Sequence, residues 1–290
     1  MPKSSEQVRI LTGQDLPFVN RLLQTSEYIY QRFTIEELPT ILRHYPAVGS
    51  FHGNSLRGFL LSQTVYPPTA WIAGFCVSWT ESRAYLNILY TLLEYLEQLL
   101  VTRGVRYLHY SGNDTEGDWL RAVLLKRGFF PYRYLYAYDK IDFSIPAPGN
   151  RQVTVRPVRE SDIPALLAIE EGCFEDLWRY DAISFKDIAA THPYFVVAEL
   201  HGQVVGYQFN ALDGDYGYLV RIAVHPSVNS RGIGARLMAE AIHFFARERV
   251  QRIMLNTQEE NNHAHRLYEW FGFARIEQKG FVLRKILRPE

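Results

Sequence analysis

Short apolar runs with the signature of buried strands alternate along this chain with stretches whose apolar positions recur at helical spacing. In the C-terminal half the pattern predicts a strand at 153–158, a helix at 161–171 and a loop-helix region at 173–190. Strands follow at 194–200, 204–213 and 216–225, then a helix at 232–248, a strand at 251–257, a helix at 261–271 and a last strand near 273–286. Elements in this order predict an α/β (α+β) fold with a mixed, partly antiparallel central sheet flanked by helices.

The N-terminal half repeats the pattern. Val8-Arg9 followed by Asp15-Leu16-Pro17 recurs 147 positions later as Val155-Arg156 followed by Asp162-Ile163-Pro164. His52-Gly53 with Arg57-Gly58-Phe59 parallels His201-Gly202 with Val205-Gly206-Tyr207, a hairpin in each case. Arg127-Gly128-Phe129 matches Phe271-Gly272-Phe273 at an offset of 144. A tandem duplication accounts for these offsets. Ser144-Ile-Pro-Ala-Pro-Gly-Asn150 reads as a linker, so the expected organisation is one domain at 1–143, a linker at 144–152 and a second domain at 153–290.

Composition narrows the function. The length, 290 residues, suits two domains. Lys plus Arg (31) balance Asp plus Glu (31), so no global field would draw the chain to nucleic acid or to an anionic membrane. Cys76 and Cys173 form neither a CxxC pair nor a disulfide framework, and no secretory signal or apolar run of membrane-spanning length is visible. The expectation is a cytoplasmic protein. With 19 Tyr and 17 Phe, some aromatic surface is expected to meet a partner, a second copy of the chain among the candidates.

The chemistry gathers on two segments. Tyr218 to Pro226 is a buried-strand pattern stopped by proline, and Ser227-Val-Asn-Ser-Arg-Gly-Ile-Gly-Ala235 leads into a long amphipathic helix. Gly232 and Gly234 leave room for close approach to free N–H groups at the positive end of a helix dipole, with Arg231 and Arg236 adding charge, which suits an anion such as a phosphate. A dinucleotide loop would need a third glycine where Leu237 stands, and a P-loop would need Gly-Lys-Ser/Thr. A GxG pair alone also fits a plain tight helix entry. The second segment is Asn261 to Phe273, a helix with Ala264, Leu267, Tyr268 and Phe271 on one face and Gly272 at its end.

Taken together, V-x-P-x-x-x-x-R-G-x-G followed by N-x-x-A-x-x-L-Y-x-x-x-G-F resembles the GCN5-related N-acetyltransferase (GNAT) family over nearly all of residues 153–288. The resemblance implies two tandem GNAT-like domains and acetyl-CoA as co-substrate. It places main-chain groups of Ile222, Ala223 and Val224 on the pantetheine arm and the N–H groups of Ser230, Arg231, Gly232, Ile233, Gly234 and Ala235 on the pyrophosphate. Asn261 would touch the arm, and Tyr268 would protonate the departing thiolate. Asn229 stands where relatives usually carry Gln or Arg.

Direct acetyl transfer needs a neutral amine. At pH 7 neutralising a lysine amine costs about 4.6 kcal/mol, against about 1 to 1.4 for an α-amine. Relatives often carry a Glu on the strand before the glycine loop, where this chain has Tyr216, Tyr218 and Arg221. Asp215, Glu175 and a water chain are the candidate bases, and a water-relayed path suffices for an amine of low pKa. Phe174, Trp178 and Tyr180 resemble the aromatic acceptor wall of protein N-terminal acetyltransferases, with Glu175 or Asp176 available to an ammonium group. No metal is expected, because His263 and His265 point different ways on a helix.

In the first half, an offset of 146 taken at Arg103-Gly104 puts Leu86 and Ile88 where Gly232 and Gly234 stand, and Leu124 replaces Tyr268. That copy is expected to be catalytically inert. The reading is therefore an N-acetyltransferase for a primary amine, on a small molecule or a peptide N-terminus. Its rivals are a non-catalytic CoA-binding sensor or scaffold and an acyltransferase for longer acyl groups.

Overall fold

A computed structural model describes residues 6–26, 28–81, 83–113 and 118–288. The first repeat runs β1 (Glu6–Ile10), α1 (Leu16–Thr25), β2 (Tyr28–Gln31), α2 (Leu38–His44), β3 (Ala47–His52), β4 (Ser55–Tyr66), β5 (Thr69–Val77), α3 (Tyr85–Thr102), β6 (Tyr107–Asn113), α4 (Trp119–Leu125) and β7 (Phe130–Lys140). The second runs β8 (Thr154–Pro157), α5 (Ile163–Cys173), α6 (Ala182–Thr191), β9 (Tyr194–Leu200), β10 (Gln203–Asp213), β11 (Tyr216–Val224), α7 (Ile233–Glu248), β12 (Arg252–Gln258), α8 (Asn262–Trp270) and β13 (Ala274–Ile286).

The elements of the second repeat fall within a residue or two of the predicted spans, because local chemistry fixes their ends. Asn261 caps α8 by accepting from the Ala264 N–H (3.2 Å), and Gly272 ends it at φ 81°. Asp162, ahead of α5, accepts from the Arg159 N–H (2.8 Å) and grips Arg156 through both oxygens (2.7 and 3.0 Å).

The chain divides into two compact units. One comprises Met1–Ser111, Glu116–Tyr132 and Leu283–Glu290, the other Gly112–Thr115 and Arg133–Val282. The segment 144–152 thus joins the two repeats but lies inside the second unit, together with most of β7. Phe143 and Ile145 pack against the core formed by α7 and α8. The strand that ends the chain passes into the first unit at Leu283.

In the second unit the strand order is β13-β7-β12-β11-β10-β9-β8. β8 to β11 are antiparallel neighbours, β11 and β12 are parallel, and β7 is antiparallel to β12. Side chains alternate faces along β9. Phe195 and Val197 join α5 and α6 in one core, while Val196 and Ala198 join Ile233 and Leu237 of α7 in another. The sheet is therefore covered on both faces.

The first unit repeats this plan with β1, β3, β4, β5 and β6 in that order. Register shows the duplication. β5 pairs with β6 in parallel only at residues 69–71, and β11 with β12 only at 216–218, which is 147 positions on. The β4–β5 ladder slips at Leu61/Ser62 and the β10–β11 ladder at Phe209/Asn210, leaving Ala73 and Val220, again 147 apart, as the bulged residues. Arg9 grips Asp15 as Arg156 grips Asp162.

The expected placement of Leu86 and Ile88 opposite Gly232 and Gly234 does not hold. α3 has 18 residues and α7 has 16, so the offset that holds at their C-termini fails at their N-termini. The helix starts align Ala84 with Gly232 and Leu86 with Gly234; Ile88 lies farther along.

Candidate active site

The bulge and the short parallel pairing open a cleft in the second unit. Beyond Tyr218↔Met254, β11 and β12 are no longer paired, so Leu219 to Val224 present an unladdered edge. The His225 N–H donates to the Val205 carbonyl (2.8 Å), and hydrogen-bonded pairs alternate along an antiparallel ladder. Given the register, Ala223 and Arg221 bond to Tyr207 and Phe209 of β10. Ile222 and Val224 turn their N–H and C=O groups the other way, into the cleft. Of the three main chains expected on a pantetheine arm, Ala223 is therefore spent on β10. The Val224 carbonyl accepts from the Cys173 thiol (3.1 Å), and burial pushes that thiol's pKa up to about 11.

The edge runs into the glycine loop. Ser230 (φ 62°) and Gly232 (φ 71°) are both left-handed, and Gly232 is the N-cap of α7. This conformation is free of cost only for glycine. Asn229, Ser230 and Arg231 are exposed, while the side chains of Ile233 and Ala235 are buried and leave only their amides for an anion. Arg236 is held by Glu240 (2.7 Å) one turn along.

The corresponding edge of the first unit is filled by its own chain. β2 lies antiparallel on β5 with Tyr28 opposite Val77 and Tyr30 opposite Phe75, the counterparts of Val224 and Ile222 at the 147 offset. The Ser78 N–H to Arg57 carbonyl bond (2.7 Å) and the Arg32 N–H to Ala73 carbonyl bond (2.9 Å) set the same alternation. The main-chain groups of Phe75 and Val77 are thus taken by β2. Two losses coincide in this unit, the glycine loop and the open strand edge.

On α8, Tyr268 is buried at 5% exposure, and among the described residues none forms a hydrogen bond with its hydroxyl. Burial raises its pKa above the ordinary tyrosine value, and the nearby Arg221 charge works the other way. Its first-unit counterpart is Leu124. The Phe129 N–H bonds the Leu124 carbonyl (3.2 Å) as the Phe273 N–H bonds that of Tyr268 (3.0 Å).

Arg221 organises the other wall. Its guanidinium donates to the Trp178 carbonyl (2.6 Å), lies over the rings of Phe174 (4.1 Å) and Tyr180 (4.5 Å), and faces Glu170 at 3.9 Å. Glu170 is buried and also accepts from the Tyr207 hydroxyl and the Tyr180 N–H (2.7 Å). Burial opposes the Arg221 charge, but Glu170 and the adjacent tyrosines outweigh it and raise its pKa. The rings of Phe174 and Tyr180 therefore come together under the Arg221 guanidinium, and Trp178 is tied to them through its main-chain carbonyl. Glu170 had gone unnoticed, although an acid on the apolar face with Leu166 and Ile169 was a readable signal.

The candidate bases separate. Asp215 is exposed and holds the Gln251 side chain (2.8 Å) at the closed end of the β11–β12 pair. Seven residues of strand put it roughly 23 Å from Ile222, which removes it from the reacting centre. Glu175 lies on the aromatic loop, where Arg133 binds it (3.1 Å) while also binding Glu260 (3.0 Å) before α8. Asn261 spends its side chain on the cap and on Thr257 Oγ1 (3.1 Å). His265 Nδ1 meets the Tyr138 hydroxyl (2.7 Å), and His263 meets Arg266.

The residues that carry the open edge, the glycine loop and Tyr268 lie within 161–273, the span matched by the profile of the Acetyltransferase (GNAT) family. Residues 161–273 therefore form a domain of the GNAT acetyltransferase family. Among GNAT relatives, a Bacillus subtilis protein named as a candidate ribosomal protein bS18-alanine N-acetyltransferase is 25% identical over 121 residues, 42% of this chain and 80% of that protein. Mycothiol acetyltransferase of Thermomonospora curvata is 29% identical over 132 residues, and the match spans 42% of this chain but only 44% of that enzyme. Likeness of fold extends over both units. The tandem GNAT protein from the clavulanic acid biosynthesis pathway superposes with a TM-score of 0.66 at 14% identity, covering 99% of this chain and 100% of that one. A GCN5-related N-acetyltransferase from Sphaerobacter thermophilus gives 0.60 at 17% identity, covering 98% and 96%. Among the described residues, no helix is long and apolar enough to cross a membrane.

Proposed function

We propose that the second unit transfers an acetyl group from acetyl-CoA to a primary amine, carried by a small molecule or a peptide N-terminus, by direct attack. The observation that carries this reading is the open edge at Ile222 and Val224 continuing into a left-handed glycine loop, set against the filled edge of the first unit. Ile222 and Val224 bind the pantetheine amides, the Val224 carbonyl exchanging the Cys173 thiol for the arm. The amides from Ser230 to Ala235 bind the pyrophosphate at the positive end of α7.

The amine nitrogen attacks the thioester carbonyl, a C–N bond forms, and the C–S bond of the tetrahedral intermediate breaks. Tyr268 gives its proton to the leaving sulfur. Its raised pKa keeps that proton in place until the thiolate forms, and Arg221 favours the tyrosinate that results. The amine's proton leaves by water, because Arg221 and Glu170 are committed to each other and Asp215 is remote. That arrangement favours an α-amine over a lysine side chain. The test is release of CoA thiol with a panel of amines, using wild type and Tyr268→Phe. Turnover with α-amines that collapses in the variant supports the reading; lysine side chains as the preferred acceptors would overturn it.

A further inference from the structure

We infer that Asn150, in the segment joining the two repeats, is a positioning residue that holds the glycine loop in its phosphate-binding shape. The inference rests on the acetyl-CoA reading above. For the amides of the loop to converge on an anion, neighbouring carbonyls must turn away from it, since an oxygen facing a phosphate would repel it. Asn150 supplies the donors on the far side. Its N–H donates to the Gly232 carbonyl (3.0 Å) and its Nδ2 to the Arg231 carbonyl (2.9 Å). Its Oδ1 accepts from the Gln152 N–H (2.8 Å), which fixes the orientation of the amide. The Gly232 carbonyl also accepts from the Arg236 N–H (3.1 Å), so it is shared between the strap and the first turn of α7.

Gly149 makes the approach possible. It is left-handed (φ 73°), and a Cβ there would overlap the Arg236 amide nitrogen and lie 2.8 Å from the Ala235 carbonyl carbon. The strap is therefore in main-chain contact with the helix turn that bears the cradle. Both its ends are anchored. Lys140 holds Asp142 (2.7 Å) and Ser144 (3.0 Å) before it, and Val153 enters the core beside Ile233 and Leu237 after it. Between the anchors, Asn150 and Gly149 clamp a loop containing Ser230, a left-handed residue whose Cβ disfavours that conformation. A segment that looks like a spacer thus sets the shape of the cofactor site from outside it.

CoA is titrated by calorimetry into the full chain carrying Asn150→Ala, Gly149→Ala or, as a control, Gln152→Ala, which contributes only main chain. Loss of one net hydrogen bond predicts about three- to tenfold weaker CoA binding for Asn150→Ala. Gly149→Ala, which displaces the strap, should weaken it further, and Gln152→Ala should match wild type. In turnover, Asn150→Ala should raise KM for acetyl-CoA while kcat and the acceptor KM hold, and rates with S-acetylpantetheine, which lacks the pyrophosphate, should equal wild type. CoA affinity unchanged in both Asn150→Ala and Gly149→Ala overturns the inference, as does an equal loss with both acetyl donors. Failure of the wild type to bind CoA refutes instead the reading on which it stands.

Discussion

Arg221→Met should cost the second unit about 3 to 5 kcal/mol, because it leaves Glu170 buried without its cation. Glu170 is 1% exposed and, among the described residues, then keeps only the Tyr207 hydroxyl and the Tyr180 N–H. The bond to the Trp178 carbonyl and the contacts with the Phe174 and Tyr180 rings go with the guanidinium. Glu170→Gln, which strands Arg221 instead, should destabilise as well. The double variant should lose clearly less than the sum, since neither charge is then left alone, with a coupling on the order of 1.5 to 3 kcal/mol. Urea unfolding of the four proteins, followed by circular dichroism and tryptophan emission, measures this. Single losses below about 1 kcal/mol, or additivity within about 0.5 kcal/mol, would refute the claim that the aromatic loop is built on a buried ion pair.

Tyr268→Phe should lower kcat by about 10²- to 10⁴-fold while leaving CoA affinity close to wild type, since only the proton donor is removed; equal loss of binding would show that the ring is structural. Asp15 and Asp162 are held below the ordinary carboxylate range, by hydrogen bonds from Arg9 and Arg156 respectively. A carboxyl with a lowered folded pKa stabilises above its unfolded value, about 3.9, and that contribution is lost as pH falls below it. Asp162→Asn should accordingly flatten the stability profile between about pH 4 and the folded pKa; an unchanged acid limb would count against it. Burial pushes both Cys76 and Cys173 up to about 11, so iodoacetamide at pH 7.5 should alkylate each more slowly than an unperturbed thiol, and rapid modification of Cys173 would contradict its place in the cleft.

Much of the second repeat was readable because its strands and helices carry undivided periodic signals and its caps are explicit, as at Asn261 and Gly272. Gly232 was readable for the same reason, since it takes a left-handed φ of 71° at the N-cap of α7. What escaped the sequence depends on contacts between distant segments. Nothing local says that β2 fills the edge of β5, because Tyr28 to Gln31 is too short and too aromatic to announce its partner. Asn150 looked like linker chemistry, and its two carbonyl partners lie 81 and 82 positions away. Asp215 looked well placed by its position before Tyr216, and only the parallel register with Arg252 shows that it sits at the closed end. The 146 offset misaligned the helix starts because two extra residues in α3 leave no mark in the apolar pattern.

The central claim, one live site and one filled by its own chain, is tested most directly by calorimetric titration of acetyl-CoA into wild type and into a Gly232→Glu, Gly234→Glu variant, whose added carboxylates would occupy the cradle. The account predicts one equivalent bound by wild type and none by the variant. Two equivalents would show that β2 does not close the first unit, and no binding to wild type would contradict the assignment of the cleft between β11 and β12.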